Sequence, residues 1–277
     1  MQHSATNGYI SWQLSRWTTE IAGLPTAFYG VKKPDPKKPN VLLVHGIGGD
    51  HHGMMPLGWE LRHHYNVYFV ELPGHGASAL PVDRSLAYWN QWAHDLGRAC
   101  ADRQIVVDEV VGHSFGCLAV GAMDSLAARR YTMLSPVPKP TLTYGTYARV
   151  ISALRYAIGP WYGRYLFALW RGLILLHVRT SQSVAAVRWI SRQTRCSQTQ
   201  LYYHMSLAKQ MSAHTLFAIA PVVREHLRVF MGSHDTLSAM NYFELSRELP
   251  DVTVRLLVGG HLLPIESPAE VAREIAA

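Results

Sequence analysis

The chain is short of cysteine, of long apolar runs and, through its middle, of acidic residues, and each shortage excludes something. Cys100, Cys117 and Cys196 are the three cysteines among 277 residues. Odd in number, scattered and without a CxxC pair, they supply neither a disulfide framework nor a structural zinc site, and they suit a reducing compartment. The opening residues, 1–17, lack the unbroken apolar stretch of a secretory signal. The most apolar internal stretch, 165–176, falls well short of the roughly 20 residues that span a bilayer, and Arg171 interrupts it. No transmembrane helix is expected, and the expected location is cytoplasmic, with peripheral membrane association left open. Internal repeats and low-complexity tracts are missing too, which sets aside solenoids and disordered tails.

What is present is enough apolar material, 48% of residues against 16% charged, to bury a substantial core. The length suits one large domain, or one domain carrying an insertion. Short strands are expected near 12–18 and 24–29, before the turn KKPDPKKPN. The run VLLV at 41–44 is continuously apolar, as in a strand covered on both faces. A helix over 55–64, a strand over 67–72, a helix over 86–100 and a strand over 107–111 follow. That alternation predicts an α/β class fold with a mostly parallel sheet and helices on both faces. From Pro136 to about Ser212 no strand-like alternation occurs. Tyr147, Ile151, Leu154 and Ile158 keep helical spacing, and a second helix fits 162–178. Strands return at 227–231 and 252–258, with a closing helix from Pro268. The expected organisation is therefore a core of residues 1–134 and 213–277 interrupted by a helical cap, or lid, of residues 135–212.

The chemistry lies at the ends of these strands. Gly112-His113-Ser114-Phe115-Gly116 is a GxSxG directly after an apolar strand and before a helix-like segment, which is a nucleophile elbow. The turn is so sharp that the serine is held in a strained conformation, and side chains at Gly112 or Gly116 would strike the neighbouring strand and helix. The helix N-terminus beneath the serine favours developing negative charge. By itself GxSxG is a weak signal, and its context decides. His45-Gly46-Ile47-Gly48-Gly49 closes an earlier strand. Its loop offers the N–H of Ile47, beside that of Phe115, to a tetrahedral oxyanion. Asp235 follows the strand at 227–231 and His261 follows the next, both past carboxyl ends, where catalytic groups gather in parallel sheets. A serine hydroxyl needs a base to take its proton, and a neutral histidine needs an acceptor to hold its tautomer. Asp251 precedes a strand and sits at the wrong end. Of the 15 histidines, His51, His52, His63, His64 and His204 read as structural or exposed, because no partner is visible from sequence.

The set VLLVHGIGG, ELPGHGAS, VVGHSFG, MGSHD and VGGHLLPIESP resembles the α/β-hydrolase superfamily, in particular its capped serine esterase and lipase-like branch. The resemblance covers nearly the whole chain outside 136–212. It implies an eight-stranded, mostly parallel sheet and a triad of Ser114, Asp235 and His261. It also implies an oxyanion hole at Ile47 and Phe115, with Gly46, Gly48, Gly112 and Gly116 shaping the elbow and its facing loop. It implies acyl-enzyme chemistry without a metal or organic cofactor. Cys117 departs from the second glycine that many relatives carry after the elbow. Relatives that cleave carbon–halogen bonds carry Asp at the nucleophile position, so Ser114 disfavours that reaction.

The middle of the chain bears on substrate. Between Ser125 and Arg224 stand 11 Arg and 2 Lys without one Asp or Glu. Ordinary solvated helices mix both signs. The excess suits an anionic partner, either a membrane surface, an acidic carrier protein or an anionic acyl chain, and equally a cationic surface with no dedicated partner. Aromatics interleave with these cations. Phe167 and Trp170, with His113 below, are the candidate lining of an apolar pocket over Ser114. No nucleic-acid motif is present, and none is expected as a partner. The expected substrate is a small-molecule ester. Lysophospholipase, monoacylglycerol lipase or acyl thioesterase activity stands as a rival, and so does a hydrolase-fold binding protein with little turnover.

Overall fold

A computed structural model describes residues 8–126, 128–136, 181–194, 197, 199–200, 203–204, 206–207, 219–235 and 242–277. Its frame is an eight-stranded sheet of strands β1 (Ser15–Ile21), β2 (Leu24–Gly30), β3 (Asn40–Val44), β4 (Asn66–Val70), β5 (Glu109–His113), β6 (Arg130–Leu134), β7 (Leu227–Gly232) and β8 (Thr253–Leu257). The spatial order is β1-β2-β4-β3-β5-β6-β7-β8. β2 pairs antiparallel with both neighbours, and every other pairing is parallel, so one strand runs against the remaining seven.

Local chemistry explains the hairpin at the edge. Ala22 and Gly23 both have positive φ, 49° and 73°, which matches the twist of a two-residue hairpin turn. The first strand begins three residues later than the composition suggests. Trp12, expected in that strand, instead packs edge-on against Trp59 and Phe69 at ring distances of 5.7 and 5.9 Å.

β3 is buried on both faces, as a central parallel strand must be. Leu42 and Val44 join a core beneath α2 (Leu86–Asp102) and α3 (Gly116–Gly121), where Trp89, Trp92 and Phe115 are fully buried. Val41 and Leu43 join the opposite core beneath α1 (Met55–Leu61) and the closing helix Pro268–Ala276. Burying such side chains is worth about 1.5–3 kcal/mol each. α1 ends three residues before the expected His64, because the chain turns there to enter β4 and the Tyr65 N–H donates back to Leu61 O. His63 and His64 are exposed.

Most of the expected cap lies outside the described residues, including both of its expected helices, Phe167 and Trp170. The described part holds the helix Ser181–Gln193. Among the described residues no helix is long and apolar enough to cross a membrane.

The amino ends of β5, β6 and β7 are tied by one buried carboxylate. Glu109 accepts from Thr132 Oγ1 (2.6 Å), Arg130 Nε (3.0 Å) and Arg228 Nη2 (3.1 Å). Removing one partner of a buried ion pair strands the other charge. Glu109→Ala is expected to lower unfolding free energy by about 3 kcal/mol, read by urea denaturation.

Candidate active site

The carboxyl ends of β3, β5, β7 and β8 bring the sequence candidates together. Ser114 follows β5 with φ of 51°, a left-handed conformation that a non-glycine residue adopts at a cost. Its neighbours permit this only by lacking side chains. A Cβ on Gly112 would sit 2.6 Å from Val120 Cγ2, and one on Gly116 would sit 2.6 Å from the carbonyls of Val44 and His45. A Cβ on Gly46 would press on both His113 and Ser114, so the loop after β3 approaches Ser114 because that position is glycine. Gly48, with φ of 71°, makes the turn that returns this loop.

Ser114 Oγ lies 2.9 Å from His261 Nε2, and His261 Nδ1 lies 2.9 Å from Asp235 Oδ2. Asp235 is fully buried and Ser114 is 9% exposed. A carboxylate only accepts, so the imidazole proton sits on Nδ1 and leaves the Nε2 lone pair facing the hydroxyl. The loops bearing Asp235 and His261 meet across Gly232, where a side chain would strike the Gly259 and Gly260 carbonyls. His234 N–H closes the junction on Gly259 O at 2.9 Å.

The amide N–H groups of Ile47 and Phe115 have no hydrogen-bond partner among the described residues. They flank the serine from two loops. α3, which follows the elbow, is only six residues long. What it offers an oxyanion is local N–H groups more than a long helix dipole.

Two residues that hold His261 escaped the sequence reading or were given another role by it. Glu266 straddles the histidine, its carboxylate accepting from Gly260 N and Leu262 N at 3.1 Å each. The only sequence signal was an acid a few residues past the histidine, in PIESP. His113, read as pocket lining, donates from Nε2 to His261 O at 2.8 Å. Burial, followed by the repulsion of His261, drives its imidazole down to about 3, so it stays neutral and keeps that proton on Nε2. His113 also borders a cavity walled by Ile47, Met54, Val187, Ile190, Leu262 and Pro264. The Thr194 hydroxyl at its edge is buried without a hydrogen-bond partner among the described residues.

Some histidines read as bland are partnered. His51 Nδ1 meets Glu71 at 2.6 Å, and Tyr29 stacks on its ring at 3.6 Å. His52 Nδ1 meets Asp50 at 3.0 Å. Asp50, His51 and His52 hold potential metal-ligand atoms within 4.8 Å of one another. His51 Nδ1 and His52 Nδ1 are already taken by Glu71 and Asp50, and the set reads as a network that braces the loop after β3. Cys100 and Cys117 are buried thiols, and burial pushes Cys100 up to about 12.

The sheet order, the elbow and the serine–histidine–aspartate contact define an α/β fold carrying a hydrolase-type site. A family model described as "Alpha/beta hydrolase family" matches residues 41–274, and the chain belongs to that family. The chain is 26% identical, over 81% of each sequence, to a Rhodobacter capsulatus protein named magnesium-chelatase 30 kDa subunit. Among solved structures, an enol-lactonase from Burkholderia xenovorans superposes with a TM-score of 0.72 at 16% identity, covering 94% of this chain and 98% of that one. A thermophilic esterase from Thermogutta terrifontis gives 0.68 at 17% identity, covering 95% and 97%. At such identities the likeness is one of fold.

Two outcomes follow. Glu266→Ala frees the backbone on both sides of His261 and is expected to lower kcat about 10²-fold, the scale of a misplaced catalytic group, with little change in melting temperature. The second concerns acid. An unfolded chain binds a proton at His113 below its ordinary value of 6.5, whereas the folded chain resists until about 3. Stability therefore falls as pH drops through that window, by about 1.4 kcal/mol per pH unit for this group. His113→Gln keeps a donor for His261 O, and it is expected to flatten the measured stability–pH slope by that amount.

Proposed function

We propose that the protein is a serine carboxylic ester hydrolase that works through an acyl-enzyme on apolar acyl esters. The observation that carries this reading is the imidazole of His261 set 2.9 Å from both Ser114 Oγ and Asp235 Oδ2. In the proposed cycle His261 Nε2 takes the Ser114 proton as the oxygen attacks the ester carbonyl. The oxyanion rests on the N–H groups of Ile47 and Phe115. Collapse expels the alcohol, which takes the proton from His261, and a water activated by the same imidazole releases the acid. Each step uses only these groups. Asp235 holds the tautomer and stabilises the imidazolium.

The aliphatic cavity beside Ile47 and His113 supports an apolar group on the substrate. The 8 Arg and 2 Lys between 131 and 223, without one Asp or Glu, support an anionic partner, whether part of the substrate, a lipid surface or an acidic carrier. Arg129, Arg130 and Arg224 at the edges of this stretch pair with Asp108, Glu109 and Asp251 instead. A second reading, a hydrolase-fold binding protein with little turnover, draws on the Rhodobacter relative, whose name is that of a chelatase subunit.

Ser114→Ala is expected to lower kcat/KM on short p-nitrophenyl esters by about 10⁴-fold or more and to abolish labelling by a fluorophosphonate. Esters ending in a carboxylate are expected to show a lower KM than neutral ones of equal length. Undiminished turnover in the variant defeats the assignment, and a wild-type chain that neither labels nor turns over favours the binding protein.

A further inference from the structure

Everything asked of Ile47 depends on where its N–H points. In a trans peptide that N–H lies opposite the carbonyl of Gly46. The carbonyl is held by His45 Nδ1 at 2.7 Å and by Gly49 N at 3.3 Å. On the other side of Ile47, the Gly48 N–H donates to His75 Nε2 at 3.1 Å, joining loops 27 residues apart. His75 Nδ1 donates to Pro73 O at 2.8 Å. A carbonyl only accepts, so the proton of His75 sits on Nδ1 and its Nε2 offers a lone pair to Gly48. Adding a second proton would set N–H against N–H. Burial, with the neighbouring histidines, drives the fully buried His75 well below its ordinary value, which keeps the lone pair available.

The ring of His75 is itself covered. His204 stacks on it with centroids 3.5 Å apart and planes within 11°. His204 Nε2 donates to Gly74 O at 2.8 Å, while its buried Nδ1 has no hydrogen-bond partner among the described residues. Burial brings it down to about 4. One nitrogen of His204 fixes the ring, and the face does the rest. Tyr203 closes on Gly74, where a Cβ would lie 2.5 Å from its ring. Gly74 also has φ of 70°, so neither bulk nor conformation leaves room for another residue.

We propose that His75 is a positioning residue for the oxyanion loop, and that His204, stacked on it, ties the aim of the Ile47 N–H to residues 203–204, which fall within the expected cap of residues 135–212. This rests on the ester-hydrolase reading of the same site. Without the Nε2 lone pair, Gly48 loses its anchor in a stretch of three glycines out of four, from Gly46 to Gly49, and the donor between them is held from one side only. The packing of residues 203–204 then bears on catalysis, although neither residue touches the reacting atoms.

The test separates aim from packing. His75→Phe keeps a flat ring against His204 and removes the acceptor. It is expected to lower kcat on p-nitrophenyl butyrate about 10²-fold, the scale of one lost oxyanion donor, with KM within about twofold. His75→Gln restores an acceptor and is expected to regain about tenfold. His204→Phe keeps the stack and is expected to lie closer to wild type than His204→Ala. Independently of turnover, amide hydrogen exchange over 46–49 is expected to rise in His75→Phe while β5 stays protected. Wild-type kcat with unchanged exchange at 46–49 overturns the proposal. So does exchange that rises throughout the sheet, because His75 would then be a packing residue. If wild-type protein turns over no ester, or Ser114→Ala turns over as wild type does, the ester-hydrolase reading fails instead, and the exchange measurement still decides the His75 tether.

Discussion

A neutral imidazole has one nitrogen that gives a proton and one that takes it, and the site depends on which is which at His261. The buried carboxylate of Asp235 settles the matter by accepting from Nδ1. Nε2 is then left with its lone pair facing Ser114 Oγ at 2.9 Å. Much of the surrounding structure serves to keep that ring in place. Glu266 holds the amides before and after it, His113 holds its carbonyl, and the empty space at Gly232 lets the two loops meet. The imidazole is thereby restrained along its backbone as well as at both nitrogens.

The same logic recurs in the facing loop with other histidines. His45 donates to Gly46 O while accepting from Leu72 N, and His75 donates to Pro73 O while accepting from Gly48 N. Both are buried, and burial lowers both, which preserves the single-proton state that such bridging needs. The motif Glu71 to Ser78 thereby gains a physical reading. Glu71 meets His51 and accepts from Ala77 N at 2.6 Å, and Ser78 bridges Glu71 O to Ala27 N. Gly76 leaves the room that the Glu71 carboxylate fills. That stretch is a fastening between the antiparallel hairpin and the loop bearing Ile47.

Much of this was legible beforehand because it rests on short-range rules. Continuous apolar runs marked β3, β4 and β5, and the glycines around Ser114 marked a backbone that tolerates no side chain. The order serine, aspartate, histidine at strand ends marked the contact that the fold brings to 2.9 Å. What stayed hidden was long-range. Nothing local distinguishes His75 or His204 from an exposed histidine, since their meaning comes from partners 27 and 130 residues away. Glu266 was hidden for another reason. It acts on backbone amides, which leave no trace in side-chain identity. β1 starts at Ser15 and not at Trp12 because the bulk of Trp12 suits an aromatic cluster as well as a strand, and it packs on Trp59 and Phe69.

The Glu109 knot lies at the opposite rim of the sheet from all of this. It fastens three central strands by their amino ends through Thr132, Arg130 and Arg228. The two rims thus carry separate sets of contacts, one fastening strands to one another and the other bearing the loops of Ser114, Asp235 and His261. A lineage of such chains can exchange loops and lids for new substrates without renegotiating its foundations, which gives this architecture unusual freedom to diversify.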